Sequence, residues 1–274
     1  MSISVIQLGT IDYATGLRLQ QRLVELRKNN EIANVLLLLE HAPVITLGRN
    51  ARRDNVLASD ELLKQRGVEL FECDRGGDVT YHGPGQLVGY PFFDLRSFLG
   101  PDGQRKTLGA VEYVRRLEEV LIRTCADYGI ATERVAGMTG VWTQMATSDG
   151  ARSPSSANEQ AKVAAIGVHI SRGVTSHGFA LNVTNEPLGY FQFIVPCGIS
   201  AKPVTSIEQE LSDRATPQLD DVAQAVSRNL GRVFNSQIVW VDSLDALLGR
   251  SVGVPARAPE ELRKMAGEED SFWA

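Results

Sequence analysis

The sequence predicts an α+β protein in which a central mixed β-sheet is flanked by helices. Three observations support this fold class. Strand patterns outnumber helix patterns, some strands follow one another through short turns, and others are joined through helical segments. Of the 274 residues, 43% are hydrophobic and 22% are charged. This composition is typical of a globular protein with a sizeable core.

Each element is predicted from its own pattern. Strands are short runs of apolar and β-branched residues bounded by Gly, Pro, Asn or Asp, and helices carry apolar residues at steps of three and four. The pattern is clearest over 107–128, where Leu117, Leu121 and Cys125 form an apolar stripe. The predicted strands are 3–8, 35–40, 44–48, 68–73, 87–93, 131–135, 140–144, 162–170, 177–183 and 238–241. The predicted helices are 12–29, 59–65, 107–128 and 216–234.

The chain divides into one folded domain and a tail. We expect the domain to cover residues 1–245 and a polar tail to cover 246–274. Within the domain, 146–161 is rich in Ser and Ala, with one Pro and no large apolar residue, a composition that predicts a flexible surface loop.

The composition also predicts the compartment and excludes some partners. The N-terminus has no basic region followed by a long apolar run, and 35–39 is far shorter than the roughly 20 residues of a membrane span. Three widely spaced cysteines argue against a disulfide framework. A net charge of −5 gives no overall basic footprint for nucleic acid. We therefore expect a cytoplasmic protein that binds neither nucleic acid nor membrane.

Familiar nucleotide, metal and hydrolase motifs are absent from the sequence. Residues 83–88 lack the third glycine of a dinucleotide fingerprint, and no Gly-Lys pair forms a Walker A loop. The cysteines and histidines lack the paired spacings of zinc sites, and no Gly-x-Ser-x-Gly elbow is present. The sequence therefore predicts neither a metal nor a cofactor.

The three cysteines differ in their context. Cys125 lies on the apolar stripe of a helix and is predicted to be a core residue. Cys73 ends a strand, where a structural role is the simplest reading. Cys197 lies between Pro196 and Gly198, so that its thiol is presented on a turn beside open main chain. It is either a nucleophile or an ordinary turn cysteine.

A cysteine nucleophile requires a lowered pKa, because the thiolate attacks and a free thiol has a pKa of about 8.5. Lys162 opens a strand and precedes the small apolar residues 163–167. Such a lysine is either simply solvated or placed beside a dry pocket. A charge roughly 4 Å away at an effective dielectric of about 20 contributes up to about 4 kcal/mol, or about three pK units.

A glycine-rich passage covers residues 75–86 (RGGDVTYHGPGQ). Its glycines allow the main chain to approach a ligand closely and to aim N–H groups at an oxyanion. Tyr81 and His82 are candidates to line such a site. The alternative is a loop that only joins two strands. His177, before Gly178, is equally consistent with a structural or a functional role.

Together these segments resemble the lipoyl(octanoyl) transferase family, the octanoyl-carrier-protein to protein N-octanoyltransferases. The resemblance covers about residues 35–207. The long glycine-rich segment is its most specific part. The matching segments are 41–49 (HAPVITLGR), 75–86 (RGGDVTYHGPGQ), 140–142 (GVW), 162–167 (KVAAIG), 172–173 (RG), 177–182 (HGFALN) and 196–198 (PCG).

The resemblance implies a fold similar to biotin and lipoate protein ligases, and roles for particular residues. Cys197 would carry the acyl thioester and Lys162 would lower its pKa. The octanoyl donor would be octanoyl-acyl carrier protein. The acceptors would be lipoyl-domain proteins, such as 2-oxoacid dehydrogenase acyltransferase subunits and glycine cleavage H protein. The implied substrate-binding residues are Arg75, Gly76, Gly77, Asp78, Val79, Thr80, Tyr81, His82, Ala165, Ile166, Gly167, Gly178, Phe179 and Ala180.

Other functions stay open at this stage. An ATP-dependent lipoate or biotin protein ligase would use a similar scaffold with a pocket lysine and no cysteine nucleophile. An amidotransferase between lipoyl domains would use a cysteine but a different donor. A binding module for an acyl chain would show ordinary thiol reactivity.

The loop 146–161 and the tail are longer than expected for the family. Arg49, Arg52 and Arg53 are candidates for docking an acidic carrier protein.

Overall fold

A computed structural model describes residues 1–98, 107–144, 160–196, 202–212 and 214–248. The described part contains strands and helices in mixed order. The strands are β1 (Ser2–Ile11), β2 (Asn34–His41), β3 (Val44–Leu47), β4 (Glu69–Glu72), β5 (Val79–His82), β6 (Gln86–Phe92), β7 (Thr132–Val135), β8 (Met138–Thr143), β9 (Lys162–Ser171), β10 (Val174–Asn182) and β11 (Gln237–Trp240). The helices are α1 (Tyr13–Lys28), α2 (Asp60–Gln65), α3 (Ala110–Asp127), α4 (Ile207–Leu211), α5 (Leu219–Val233) and α6 (Leu244–Leu248).

The strands form two sheets. The large sheet has eight strands in the order β11-β1-β2-β6-β10-β9-β8-β7, and the small sheet has three in the order β4-β3-β5. In the large sheet, β1 is parallel to both β11 and β2, and the other pairs are antiparallel. The expectation of a mixed sheet flanked by helices is therefore confirmed.

Helices cover the two faces of the large sheet. On one face, Leu23 and Leu26 of α1 pack with Val88 and Ala180 of the sheet. On the other face, α3 and α5 contribute to a larger core. Both faces of β2 and β6 are buried, which explains the nearly continuous apolar run of β2.

The start of α1 follows from local chemistry. Asp12 has extended backbone geometry, and its Oδ1 accepts a hydrogen bond from the Thr15 N–H at 2.7 Å. This N-cap satisfies one of the free amide groups of the first turn. The first helical residue, Tyr13, is thereby fixed against the large sheet, where it lines the cleft described below.

The small sheet lies over the same face of the large sheet as α1. Its strand β5 alternates: Val79 and Tyr81 pack into a third core with Phe191 and Ile194. The intervening residues Thr80 and His82 face the large sheet and line a cleft between the two sheets. The period of two along β5 therefore separates a core face from a cleft face.

Most predicted elements are present within a few residues of their expected bounds. Strand β5 inside the glycine-rich passage, and the short helices α4 and α6, were not predicted. Cys125 is fully buried, as expected for a core position, and burial raises the pKa of its thiol to about 12.

Several predicted segments fall where the structure gives no description. Most of the expected loop 146–161, and the predicted tail from residue 249 onward, lie outside the described residues. Helix α6 spans the predicted boundary at 245. Within the described ranges, no helix has the length and apolar character needed to cross a membrane.

Candidate active site

A narrow slot lies between the two sheets, with a cavity volume of about 50 Å³. Its lining comes from the small sheet, the glycine loop (residues 74–78) that precedes β5, three strands of the large sheet and the start of α1. Most of the lining is backbone, small side chains or aromatic rings. The lining residues are Tyr13, Arg75, Gly76, Gly77, Asp78, Thr80, His82, Val88, Tyr90, Ala165, Ile166, Gly167, His177, Gly178, Phe179 and Ala180.

The slot brings together twelve of the fourteen residues that the sequence analysis assigned to substrate binding. Those twelve come from three separate segments, 75–82, 165–167 and 178–180. Antiparallel pairing joins the second and third segments directly, with Gly167 opposite Gly178 and Ala165 opposite Ala180. Val79 and Tyr81 are the two that the structure does not bring to the slot, because they point into the third core.

Glycines form the walls where main chain meets main chain. A Cβ on Gly167 would lie 2.7 Å from the Gly76 carbonyl oxygen, and a Cβ on Gly178 would overlap the Gly89 carbonyl oxygen. Real Cβ atoms do not come this close to a carbonyl oxygen. The Gly76 N–H donates to the carbonyl of Val168 at 3.1 Å, so this amide is committed to the sheet and is not an oxyanion donor.

Arg75 fastens the glycine loop to the small sheet. Its side chain is 7% exposed, and its guanidinium donates to Thr46 Oγ1 at 3.1 Å, to the Thr46 carbonyl at 2.7 Å and to the Asp78 carbonyl at 2.6 Å. Buried polar groups must be hydrogen-bonded to offset their desolvation. The contacts therefore make Arg75 a clamp that shapes the wall of the slot.

A cluster of aromatic rings and imidazoles forms the buried end of the slot. His41 Nδ1–H donates to the Ile11 carbonyl at 3.1 Å, and its Nε2 accepts from the Tyr90 hydroxyl at 2.7 Å. Tyr13 stands 5.1 Å from His41 and is stacked 6.4 Å from His82, measured between ring centroids. Burial lowers the pKa of His41 to about 4 and that of His82 to about 3. Both rings are therefore neutral at pH 7: His82 is part of this end wall, and His41 packs against its Tyr13 and Tyr90 rings.

A hydrogen-bonded chain connects this end wall to the far side of the large sheet. His82 Nδ1–H donates to Gln86 Oε1 at 2.7 Å, and Gln86 Nε2 donates to Asn182 Oδ1 at 2.8 Å. Asn182 Nδ2 in turn donates to the Thr205 carbonyl, and the Thr205 hydroxyl donates to Glu210. Each buried amide thus has partners, which fixes the tautomer of His82 with its proton on Nδ1.

At the open end, an acidic residue bridges two histidines. His177 Nε2–H donates to Asp74 Oδ1 at 2.7 Å, and His169 Nδ1–H donates to the Asp74 carbonyl at 3.1 Å. Burial raises the pKa of Asp74, but the contacts with His177 and His169 outweigh this effect and leave it below its ordinary value. The bridge holds the start of the glycine loop against β9 and β10. His177 therefore has a clear structural contact at the slot entrance.

Lys162 lies in a second, smaller compartment beside the slot. That compartment is also lined by Gln86, Asn182 and Pro196, and it shares Thr80, Ala165 and Ala180 with the slot. Lys162 is 7% exposed, and its Nζ lies 4.7 Å from the centroid of the Trp142 ring. A cation over an indole face at this distance is favourable, by about 2 kcal/mol when the pair is desolvated.

Cys197 lies outside the described residues, so its side chain has no described position. Pro196, which precedes it, lines the compartment that contains Lys162. Cys73 is not among the residues that line that compartment; it follows β4, and its thiol donates to the Leu47 carbonyl at 3.5 Å.

The three arginines proposed for docking lie on the loop that borders the slot. Two amide groups of this loop bond to the slot wall: Arg49 N–H donates to the Arg75 carbonyl, and Arg52 N–H donates to the side-chain Oδ1 of Asp78. All three side chains are exposed. Arg52 pairs with Asp54, and Arg53 pairs with Asp60. Exposed pairs of this kind contribute little to stability, so these guanidinium groups are accessible to a partner.

The lipoyl protein ligase A/B catalytic domain model matches residues 12–231 of the chain. This is most of the sequence, and it includes every described lining residue of the slot. The chain belongs to this family. The octanoyltransferases of this family described in the next paragraph are enzymes, and this chain is likewise an acyltransferase.

Close relatives within the lipoyl protein ligase A/B family are octanoyltransferases. One from Koribacter versatilis is 58% identical over 264 residues, with 96% of each chain covered. One from Acidobacterium capsulatum is 58% identical over 248 residues, which covers 90% of this chain and 96% of the relative. One from Solibacter usitatus is 49% identical over 240 residues, covering 88% and 96%.

Solved structures of lipoate protein ligases share the fold of this family member. A bipartite lipoate protein ligase from Thermoplasma acidophilum aligns with a TM-score of 0.61 at 14% identity, covering 98% of this chain and 91% of that one. Lipoate-protein ligase A bound with ATP aligns with a TM-score of 0.60 at 12% identity, covering 98% and 94%. The expected ligase-like fold is therefore confirmed.

Sequence reasoning missed the aromatic residues around the site of this family member. Tyr13 and Tyr90 read as core residues of a helix and a strand, because nothing local distinguishes an aromatic end wall from a core. Trp142 was noted only as part of a matching segment. Its place opposite Lys162 depends on strand pairing, which a single sequence does not reveal. The alternation along β5 could have separated Val79 and Tyr81 from Thr80 and His82.

Proposed function

We propose that the chain transfers an octanoyl group from octanoyl-acyl carrier protein to a lysine of lipoyl-domain proteins, through a thioester on Cys197. The octanoyl specificity is supported by the names of relatives 58% identical over most of both chains. Lipoyl-domain acceptors are supported by the family, which is that of lipoyl protein ligases. This reaction would supply the octanoylated protein from which a lipoyl group is made.

The observation that carries the proposal is that the two compartments are adjacent and share Thr80, Ala165 and Ala180 in their linings. The slot is lined mostly by main chain, small side chains and aromatic rings, which suits an alkyl chain, and its volume of about 50 Å³ must widen to admit eight carbons. The adjoining compartment contains the Lys162 side chain and is bounded by Pro196, one residue before Cys197. An acyl chain in the slot would therefore present its carbonyl carbon beside Lys162 and close to the point where Cys197 joins the chain.

The first step forms the acyl-enzyme. The Cys197 thiolate, favoured by the positive charge of Lys162, attacks the thioester carbonyl of the donor. A new C–S bond forms, the bond to the carrier sulfur breaks, and the departing thiolate takes a proton from the Lys162 ammonium. One thioester replaces another, so this step needs no ATP.

The second step transfers the acyl group to the acceptor. A neutral lysine amine of the lipoyl domain attacks the acyl-enzyme carbonyl, and the C–S bond to Cys197 breaks. Lys162, now neutral, accepts the proton that the amine loses, and Cys197 returns as thiolate. An amide replaces a thioester, which makes the overall transfer favourable.

The test is intact-protein mass spectrometry after mixing the enzyme with octanoyl-acyl carrier protein in the absence of ATP. We expect a gain of one octanoyl group that hydroxylamine removes and that is absent in Cys197→Ala. Addition of a lipoyl domain should discharge it. Transfer that requires ATP, with no adduct in its absence, would instead support a lipoate ligase. Loading of Cys197 by an octanoylated lipoyl domain, and not by octanoyl-acyl carrier protein, would support an amidotransferase.

A further inference from the structure

A β-bulge places Lys162 directly opposite Trp142. In the pairing of β8 with β9, Val141 lies opposite Ala164, so regular pairing would put Trp142 opposite Val163. The register shifts at this point, and Trp142 pairs with Lys162 instead. Val163 is the extra residue, and its side chain is fully buried in the core. Bulges re-aim side chains in this way and are frequent beside active sites.

The Trp142 ring is held in place independently of Lys162. Its side chain is 1% exposed, and its indole Nε1–H is directed at the Met138 carbonyl at 3.4 Å. Gly140, two residues earlier, donates its N–H to Glu118 Oε1 at 3.2 Å. A Cβ at Gly140 would lie 3.4 Å from Lys162 Cε and 2.6 Å from the Ala164 carbonyl oxygen. The strand therefore leaves room for the lysine stem and presents a fixed ring to its end.

We propose that Trp142 is a positioning residue for Lys162, whose ammonium its ring face holds at the wall of the second compartment. The inference rests on the proposed function, in which that ammonium favours the Cys197 thiolate. The π face of an indole attracts an ammonium much more strongly than a neutral amine. Trp142 would therefore act on the thiol only through Lys162, without contact with substrate.

Other titratable groups surround this pair and must be considered in any pH measurement. His82, which lines the slot, has its pKa lowered by burial to about 3 and stays neutral over the pH range of the alkylation measurement. Three buried or half-buried carboxyl groups lie on neighbouring elements. They are Glu118 on α3, which binds Gly140, Glu133 on β7, which is opposite Trp142, and Glu210 on α4, which binds Thr205.

The experiment measures the pH dependence of Cys197 alkylation by iodoacetamide in the full chain, quantified on the peptide that contains residue 197. Trp142→Leu is expected to raise the midpoint of this profile by about one pH unit, because the ammonium is no longer held in place by the ring and its attraction for the thiolate weakens with distance. Trp142→Phe keeps a smaller face and is expected to give a smaller rise. Phe93→Leu, which truncates another fully buried aromatic side chain away from both compartments, is expected to leave the midpoint unchanged.

A second series keeps the fold constant. Fluorinated tryptophans are placed at position 142 in a protein whose other tryptophans, Trp240 and Trp273, are Phe. Fluorine withdraws π density with little change in shape, so the midpoint should rise with each added fluorine. A midpoint that does not respond to fluorination would overturn the inference, even if Trp142→Leu fails to fold.

The Lys162→Met variant separates this inference from the function on which it rests. If Lys162→Met raises the midpoint and the fluorinated series does not, the role of Trp142 is wrong and the proposed role of Lys162 stands. If Lys162→Met leaves the midpoint unchanged, the proposed activation of Cys197 by Lys162 fails, and the inference about Trp142 fails with it.

Discussion

The two neutral imidazoles at the buried end of the slot predict a loss of stability in mild acid. The pKa of His41 is about 4 and that of His82 about 3 in the folded protein, because burial disfavours their charged forms. In the unfolded chain both have a pKa of about 6.5. Below that pH the unfolded state binds protons that the folded state does not bind, so the free energy of unfolding falls as the pH falls.

The magnitude follows from proton linkage. Between pH 7.5 and pH 5, a histidine with an unfolded pKa of about 6.5 and a folded pKa of about 4 or lower reduces the free energy of unfolding by about 2 kcal/mol. The two together contribute about 4 kcal/mol, a large part of the 5–15 kcal/mol of a usual domain. The loss begins near pH 6.5 and continues until the folded pKa values are reached.

Replacement of one imidazole provides the test. In His41→Gln, the amide can donate to the Ile11 carbonyl and accept from the Tyr90 hydroxyl, as the imidazole does. Between pH 7.5 and pH 5, the free energy of unfolding should decrease by about 4 kcal/mol in the unsubstituted protein and by about 2 kcal/mol in the variant. Urea unfolding at both pH values measures this. The urea slopes should agree between variants, which shows that the same surface is exposed. An equal loss in both proteins would refute the assignment of neutral buried histidines.

Three further results are expected. Gly178→Ala should reduce the free energy of unfolding by about 1–3 kcal/mol, because its Cβ would overlap the carbonyl oxygen of Gly89. Gly9→Ala, with open space around its Cβ, should leave the free energy of unfolding nearly unchanged. Equal urea midpoints for the two variants would contradict this. Arg49→Glu should raise the KM for the octanoyl carrier protein with little change in kcat, and Arg22→Glu on the exposed side of α1 should not; an unchanged KM would discard the docking role. Cys197→Ala should abolish turnover, and a variant that retained most activity would exclude the thioester route.

Much of the slot could be predicted because its walls come from short segments with distinctive local chemistry. Gly76, Gly167 and Gly178 each belong to a glycine-bearing segment that the sequence analysis selected. These positions permit close approach of main chain, a property that a sequence reveals directly. The mixed sheet could also be predicted, since apolar runs and helical stripes alternate along the chain.

The remainder depends on pairing between distant segments. The bulge at Val163 shifts the register by one residue, and only this shift brings Lys162 opposite Trp142. No local pattern encodes it. Strand β5 was missed because glycine and proline on both sides made the whole passage read as a loop. Without that strand, its two faces could not be distinguished, and Tyr81 was assigned to the slot together with His82.

The glycine walls have a consequence for how this enzyme family could diversify. A pocket lined by large side chains can change its substrate range by single replacements that add or remove a few atoms. Here a methyl group on Gly167 or Gly178 would push one main chain into another, so mutation would damage the sheet before it altered selectivity. In the proposed acyl-binding role of the slot, variation in acyl preference should therefore arise at its aromatic end, at Tyr13 and Tyr90, while the walls stay constant between lineages.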